Sequence, residues 1–588
     1  MYPYFNVFLL LDILVPFSFI IFFTILALSL IFKEKHDHIS WRFFYILSLI
    51  LLIIYFIISS IVLYNNWSYV TTIPNLLKDG NNVHNFYTWK LYFIPYLTSF
   101  HQFELTSSVY ELGWNLGLLS SGFVFLTCLI GFWCLFYYKE SCTVITQNYS
   151  KSWIQINKLD EWSKKSSKNH ITYYIIILFL LINLFYVNNI LWFFIFYEAL
   201  IIPMFLLILD FSDNYNRRAW ISALLFFFFT LIGSVLLFLV IVTLSDIVGS
   251  YEFTSIHNFI INSNDNIYDY DFFLKNKLSF ITFFIDPNFE IQKQFFFNLL
   301  GLLTAFAFFV KLPLYMLHIW LTEAHVEANT PGSMILASIL LKLGVWGILN
   351  ISCVIGVTMF DDFGYLISIF IGLCSIVYFF LCLSWNNLKT WIAYSSVIHM
   401  NFLTIGLLMN LSLSMKGVLM ICASHAFISA GLFYIAGIIY EVFGTKNIGE
   451  IKGLIWKMPY VAWALFFLSI ANASLPFFVG FIGEIVIFVE LIKYSWWLTV
   501  LILISFFGVT ITFFLISCSI IFGDYRTFIG KLSSMKTSLA TTYEVQSSIA
   551  FFGVIAISAL QPWLLFDVYT FDFFIEFSDY AYFNKKDI

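Results

Sequence analysis

The stretch NLLGLLTAFAFFVKLPLYMLHIW, residues 298–320, decides how the rest of this chain is read. It is an apolar run of about the length, roughly 20 residues, that a helix needs to cross the ~30 Å hydrocarbon layer of a bilayer. Yet it carries Lys311 and, two residues on, Pro313. A charge at the centre of a membrane helix is unfavourable by roughly 2.5–3.5 kcal/mol on insertion scales, so such groups usually line a polar path. A proline there removes a backbone hydrogen bond and breaks the helix, which is tolerable only inside protein or against a wet cavity. The stretch therefore predicts a broken membrane helix with a lysine at the break.

Working outward, the same character holds along the chain. Of the 588 residues 61% are hydrophobic and 11% charged, too little charge to clothe a water-soluble globule. Apolar runs between polar interruptions predict fourteen spans, at 6–32, 43–64, 112–138, 171–189, 190–209, 219–244, 295–317, 333–356, 363–383, 391–410, 417–440, 459–492, 496–522 and 547–568. The first has no basic residues before it and is too long for a signal core, so it reads as a retained span. Loops after odd-numbered spans hold 18 lysines and arginines, Lys389 and Lys446 among them, and the even side holds 9. That bias supports an even number of spans, with both termini on the outer side of the membrane. The longer polar stretches at 65–111, 139–170 and 245–294 are the places for extramembrane structure.

Other classes of function find little support. A net charge of −5 gives no basic surface for nucleic acid. The eight cysteines are scattered without a C-x-x-C pair, as buried small hydrophobes would be, and no G-x-G-x-x-G or P-loop occurs. No place for a flavin, nucleotide or metal is expected in this chain. The abundance of Phe, Ile, Tyr and Asn, all with AT-rich codons, points to an AT-biased genome such as an organelle's.

Three further charges sit where they are unfavourable: Glu198 in WFFIFYEALIIPMF, Lys342 in SMILASILLKLGVWG and Glu484 in LPFFVGFIGEIVIF. His399 in YSSVIHMNFL and His425 in ICASHAFISAG add groups that titrate near neutral pH, with hydroxyls close by to hold a water chain. One such residue alone could be a buried ion pair that fixes helix register. Together they favour a proton pathway of Glu198, Lys311, Lys342, His399, His425 and Glu484. His318 and His325, near a helix end, read equally well as packing residues and stand as auxiliaries. Pro476 lies eight residues before Glu484 and should break span 12 as Pro313 breaks span 7. Interrupted helices five spans apart suggest two five-helix repeats, spans 4–8 (171–356) and 9–13 (357–522), with Lys311 and Glu484 in matching positions. Residues 1–111 would hold spans 1 and 2 and a loop, 112–170 span 3 and a basic loop, and 523–588 the last span and tail.

At residues 311–344, KLPLYMLHIWLTEAHVEANTPGSMILASILLKLG, the chain resembles the chain 4 family of antiporter-like membrane subunits of NADH:ubiquinone oxidoreductase, respiratory complex I. FYEALIIPMF around Glu198, AYSSVIHM at 393–400, SHAFISAGLFYIAG at 424–437 and SLPFFVGFIGE at 474–484 agree in order, over about residues 112–522. The resemblance implies an all-α membrane protein of fourteen helices with two inverted five-helix repeats, which moves protons and binds no redox cofactor itself. FMN, iron–sulfur clusters, NADH and ubiquinone would be used elsewhere in the complex. It makes Glu198 the carboxylate that modulates Lys311, makes Lys342, His399 and His425 a central hydrophilic axis, and makes Glu484 the terminal site. Expected partners are other membrane subunits, the antiporter-like chains 2 and 5 especially, and membrane lipid with cardiolipin as a candidate, in the mitochondrial inner membrane with both termini on the intermembrane-space side. The chain departs from the family at Thr322 and Asn329, where prolines are usual, at Phe477, and at Asn115, where relatives carry an aspartate. An Mrp-type cation/proton antiporter subunit and a structural membrane scaffold remain open as alternatives.

Overall fold

The computed structural model describes residue 22 and residues 38–70, 88–92, 111–115, 118–148, 156–209, 217–253, 255–256, 289–352, 357–409, 411–476 and 478–523. Among them the chain is nearly all helix: α1 (His38–Val70), α2 (Leu118–Asn148), α3 (Ile156–Tyr186), α4 (Ile190–Leu209), α5 (Arg217–Val248), α6 (Phe289–Phe309), α7 (Ile319–Glu327), α8 (Thr330–Ile351), α9 (Val357–Ser384), α10 (Leu388–Leu408), α11 (Ser412–Phe443), α12 (Pro459–Asn472), α13 (Val479–Tyr494) and α14 (Trp496–Phe522). Among the described residues eight helices are long and apolar enough to cross a membrane, and four shorter apolar ones accompany them. Twelve of the fourteen expected spans fall on helices. The first and last, 6–32 and 547–568, lie outside the described residues apart from Phe22.

Three boundaries differ from expectation. The third span begins at Leu118, because Glu111–Asn115 forms a strand, β2, paired antiparallel with β1 (Thr88–Tyr92). Asn115 thus lies in a ladder opposite Thr88 and not in a helix. Helix α3 starts at Ile156, so the basic segment KKSSKNH is helical and not loop. Hydropathy marks where a helix meets lipid, not where it begins. Lys389, expected in a loop, is the second residue of α10 and is buried.

Helix starts and stops follow local chemistry. Asn189, Asn329 and Asn387 each accept a backbone N–H of the helix they precede, from Leu191 (2.9 Å), Gly332 (2.8 Å) and Lys389 (3.0 Å). Asn329, where the family has proline, therefore acts as the cap of α8. The prolines end helices four residues upstream. Pro313 has no N–H for Phe309, the last residue of α6, and Pro476 has none for Asn472, the last of α12. Pro203 withholds its bond from Ala199, where α4 is interrupted. Both long breaks, 310–318 and 473–478, contain a left-handed non-glycine residue, Met316 (φ 67°) and Ser474 (φ 49°). Such backbone persists only where the surroundings hold it.

Helices α8, α10 and α11 form the buried centre, while α5, α9 and α14 present Phe, Ile, Leu and Val outward as lipid-facing cover. Because lipid is as apolar as the helices, close backbone approach supplies much of the association. Gly417 of α11 and Gly483 of α13 meet reciprocally: a Cβ on either would stand 2.8–2.9 Å from the other's carbonyl oxygen. Gly483→Val should force these helices apart, at roughly 1–3 kcal/mol for an overpacked contact. A lower unfolding temperature of the membrane complex and less subunit retained would show it; unchanged thermal stability would refute the reading.

Candidate functional site

Lys311 lies in the first break, directly after α6, with 2% of its surface exposed. Its ammonium stands over the rings of Tyr197 on α4 (5.1 Å) and Phe226 on α5 (5.4 Å), so two π faces cradle the cation. Trp320 Nε1 donates to the Val310 carbonyl (3.0 Å) and ties the far side of the break back. Glu198 follows Tyr197 on α4 and is half-buried. It is within electrostatic reach of Lys311 but forms no ion pair with it here.

Lys342 sits in the middle of α8 between two π turns, Leu336–Leu340 and Ile348–Ser352. A π turn widens the helix and loosens its carbonyls, and such turns cluster at functional sites. The Ala337 carbonyl in the first turn accepts from Lys342 Nζ (2.8 Å). The same ammonium donates to His425 Nδ1 on α11 at 2.7 Å. His425 Nε2 is buried without a hydrogen-bond partner, and its ring lies 5.5 Å, centroid to centroid, from that of His399 on α10.

His399 Nε2 is 3.1 Å from the Asn472 carbonyl. A carbonyl only accepts, so this bond keeps the hydrogen on Nε2 and leaves Nδ1 as the exchangeable nitrogen. It is the same carbonyl that Pro476 deprives of its helical partner. The break expected from sequence thus frees an acceptor that orients the histidine. His399 Nδ1 lies 3.6 Å from Glu484 Oε1, which accepts from Ser474 Oγ at 2.5 Å in the second break. Lys342, His425, His399 and Glu484 are all buried and form one continuous axis across α8, α11, α10 and the start of α13.

Of the residues singled out in the sequence, these four are brought together, while Lys311 and Glu198 form a separate pair around Tyr197. Pro313 and Pro476 lie at the two breaks. His318 stands apart in a box of Tyr315, Tyr378 and Tyr394. His325 is fully buried, stacked on Phe433 at 4.4 Å. The hydroxyls near His399 and His425 donate to carbonyls of their own helices: Ser395 and Ser396 to Ile392, Ser424 to Ile421 and Ser429 to Ala426. Sequence reasoning missed Lys389, Ser474 and Asn472. Lys389 could have been found from its place two residues before the apolar run that carries His399, since it is the one Lys, Arg, Asp or Glu on that helix. The contribution of the Asn472 carbonyl has no side-chain signal. Among the described residues, no cluster of three or more His, Cys, Asp or Glu could hold a metal.

The described residues make up a polytopic, nearly all-helical membrane protein with two broken helices and a buried basic-to-acidic axis. Residues 187–512, more than half of the chain, match the family described as NADH:quinone oxidoreductase/Mrp antiporter, transmembrane, and the chain belongs to it. It is 32% identical over 315 residues to NADH-ubiquinone oxidoreductase chain 4 of Dictyostelium discoideum, covering 53% of this chain and 51% of that protein. The chain spans about half the length of the curated relatives it matches. In fold it is similar to a chain of respiratory complex I from Thermus thermophilus with bound NADH (TM-score 0.57, 19% identity, 89% of this chain and 100% of that one). It is also similar to a chain of the membrane-bound sulfane sulfur reductase, an archaeal respiratory membrane complex (TM-score 0.64, 13% identity, 96% and 99%).

Proposed function

We propose that this chain is the proton-translocating chain 4 subunit of an NADH:ubiquinone oxidoreductase, and that its axis moves protons while electrons pass from NADH to quinone elsewhere in the complex. The observation that carries this reading is the buried series Lys342–His425–His399–Glu484 inside the apolar bundle, joined by a hydrogen bond, a tilted ring contact and a 3.6 Å His–carboxylate contact in turn. Each neighbour in it is a proton donor or acceptor. Lys342 gives a proton to His425 Nδ1, and His425 releases one from Nε2. His399 takes it on Nδ1, because its Nε2–H is held by Asn472, and passes it to Glu484. Such coupled sites exchange protons as a set and not as independent groups. Lys311 and Glu198 act upstream, where movement of the carboxylate toward or away from the lysine sets its proton occupancy.

The two breaks, one beside Lys311 and one before Glu484, favour the reading of 171–356 and 357–522 as inverted five-helix repeats. The similarity to the chain 4 relatives supports placement in the mitochondrial inner membrane beside other complex I membrane subunits, chains 2 and 5 especially, with cardiolipin at the apolar flanks and both termini on the intermembrane-space side. FMN, iron–sulfur clusters, NADH and ubiquinone would be used elsewhere in the complex.

The test is gentle detergent extraction, native-gel separation with an NADH-oxidation stain, and mass spectrometry for this chain, followed by NADH-driven proton uptake in vesicles. Co-migration with the large NADH-oxidising band, and uptake that depends on Lys342, is the expected result. Migration with non-redox partners and sodium-dependent proton exchange without NADH would replace it with the Mrp-type antiporter reading.

A further inference from the structure

Three elements meet at the membrane face where α7 ends, α10 begins and α11 closes. The chain after α11 returns to pair with the start of α10: Leu388 N–H donates to Lys446 O and Ile448 N–H to Asn386 O. This brings two lysines onto the free carbonyls at the end of α7. Lys446 Nζ donates to Val326 O and Lys389 Nζ to Ala328 O, each at 2.8 Å. Cations at a helix C-terminus complement its dipole, and a clamp on the α7–α8 junction is the simplest role for them.

Lys389 carries more than a clamp requires. It is 3% exposed, and among the described residues no carboxylate lies within ion-pair distance of its ammonium. Glu327, half-buried on α7, and Lys446 are the charged groups within electrostatic reach. Inward of it lies His325, fully buried, with neither ring nitrogen hydrogen-bonded. Buried polar atoms are nearly always partnered, so a ring with both nitrogens unpartnered stands out. Those two nitrogens are free to accept a proton on one side and release it on the other. His325 is within electrostatic reach of Lys389, of Lys342 and of His425, and so stands between this face and the axis.

We propose that Lys389 is a proton-carrying residue that loads the axis from this face, passing its proton to His325 and thence to Lys342 and His425. The step is balanced without a co-reactant. The ammonium loses a proton to one imidazole nitrogen, the other nitrogen loses one inward, and Lys389 is reprotonated from the face beside Glu327 and Lys446. This rests on the proton-translocating reading above and adds an intake site to it.

Arginine separates the two roles, because it keeps the charge and the donors toward Ala328 O yet holds its proton throughout the accessible pH range. Lys389→Arg, His325→Gln and Lys342→Met complexes are compared for native-gel assembly, NADH oxidation and proton uptake in vesicles. With Lys389→Arg assembled, proton uptake per NADH oxidised should fall about a hundredfold or more, the lower end of the range for loss of a proton-transfer group, and His325→Gln should match it. Wild-type uptake by assembled Lys389→Arg overturns the proposal and leaves a clamp. Should Lys389→Arg not assemble, His325→Gln decides alone, and wild-type uptake by it overturns the relay. Normal uptake by Lys342→Met would instead bring down the underlying function, and this proposal with it.

Discussion

Replacing Lys342 with methionine is expected to reduce proton translocation to the passive leak, in a subunit that still inserts and assembles. Methionine keeps the apolar stem that packs within α8 and removes only the ammonium. Two groups then lose their partner: the Ala337 carbonyl in the π turn and Nδ1 of His425. Leaving a buried polar group unsatisfied costs roughly 1–3 kcal/mol, so the variant should lose stability without losing the fold. Function fares worse, because His425 would have no proton donor on its Nδ1 side. Proton uptake by vesicles at a matched rate of NADH oxidation is the measurement. Uptake at the wild-type level would remove Lys342 from the path.

Glu198→Gln should abolish pumping while leaving assembly intact, for a different reason. Glutamine is nearly the same size, and Glu198 makes no ion pair whose loss would unsettle α4. What disappears is a charge on the residue next to Tyr197, whose ring holds the Lys311 ammonium. At an effective dielectric of ~20, a unit charge ~8 Å away contributes about 2 kcal/mol, enough to change how firmly a lysine holds its proton by more than tenfold. Without that lever Lys311 keeps one protonation state through the cycle. The variant complex should run at its normal position on a native gel and show no NADH-dependent proton uptake. Full pumping by it would end the modulating role.

The parts of this architecture legible in the sequence were those in which a residue contradicts its surroundings. Lys311, Lys342, Glu198 and Glu484 stand out because each is charged in an apolar run, and Pro313 and Pro476 because helices do not tolerate them in their interiors. What those contradictions connect to was less visible. The bond from His399 to Asn472 spans 73 positions and depends on a backbone carbonyl that a proline four residues further on has freed. The π turns around Lys342 leave no compositional trace. Lys389 falls in a loop in the sequence reading because the apolar run starts at 391, whereas Asn387 is the cap of a helix whose second residue is that buried lysine. The helical start of α3 was misread for the related reason that polar residues outside the bilayer can continue a helix.

The placement of the axis has an electrical consequence. Lys342, His399 and His425 each lie near the midpoint of a long helix, and Glu484 sits in the second turn of α13 just past the break that follows α12, so the series runs sideways through the bundle. A charge crossing the full thickness of an energised bilayer does work of about 2.3 kcal/mol per 100 mV. A charge travelling along this series stays at nearly one depth and does almost none. The voltage is therefore felt in the short stretches that join the series to either surface. A rise in membrane potential should slow loading and release while leaving transfer between the four residues unaffected.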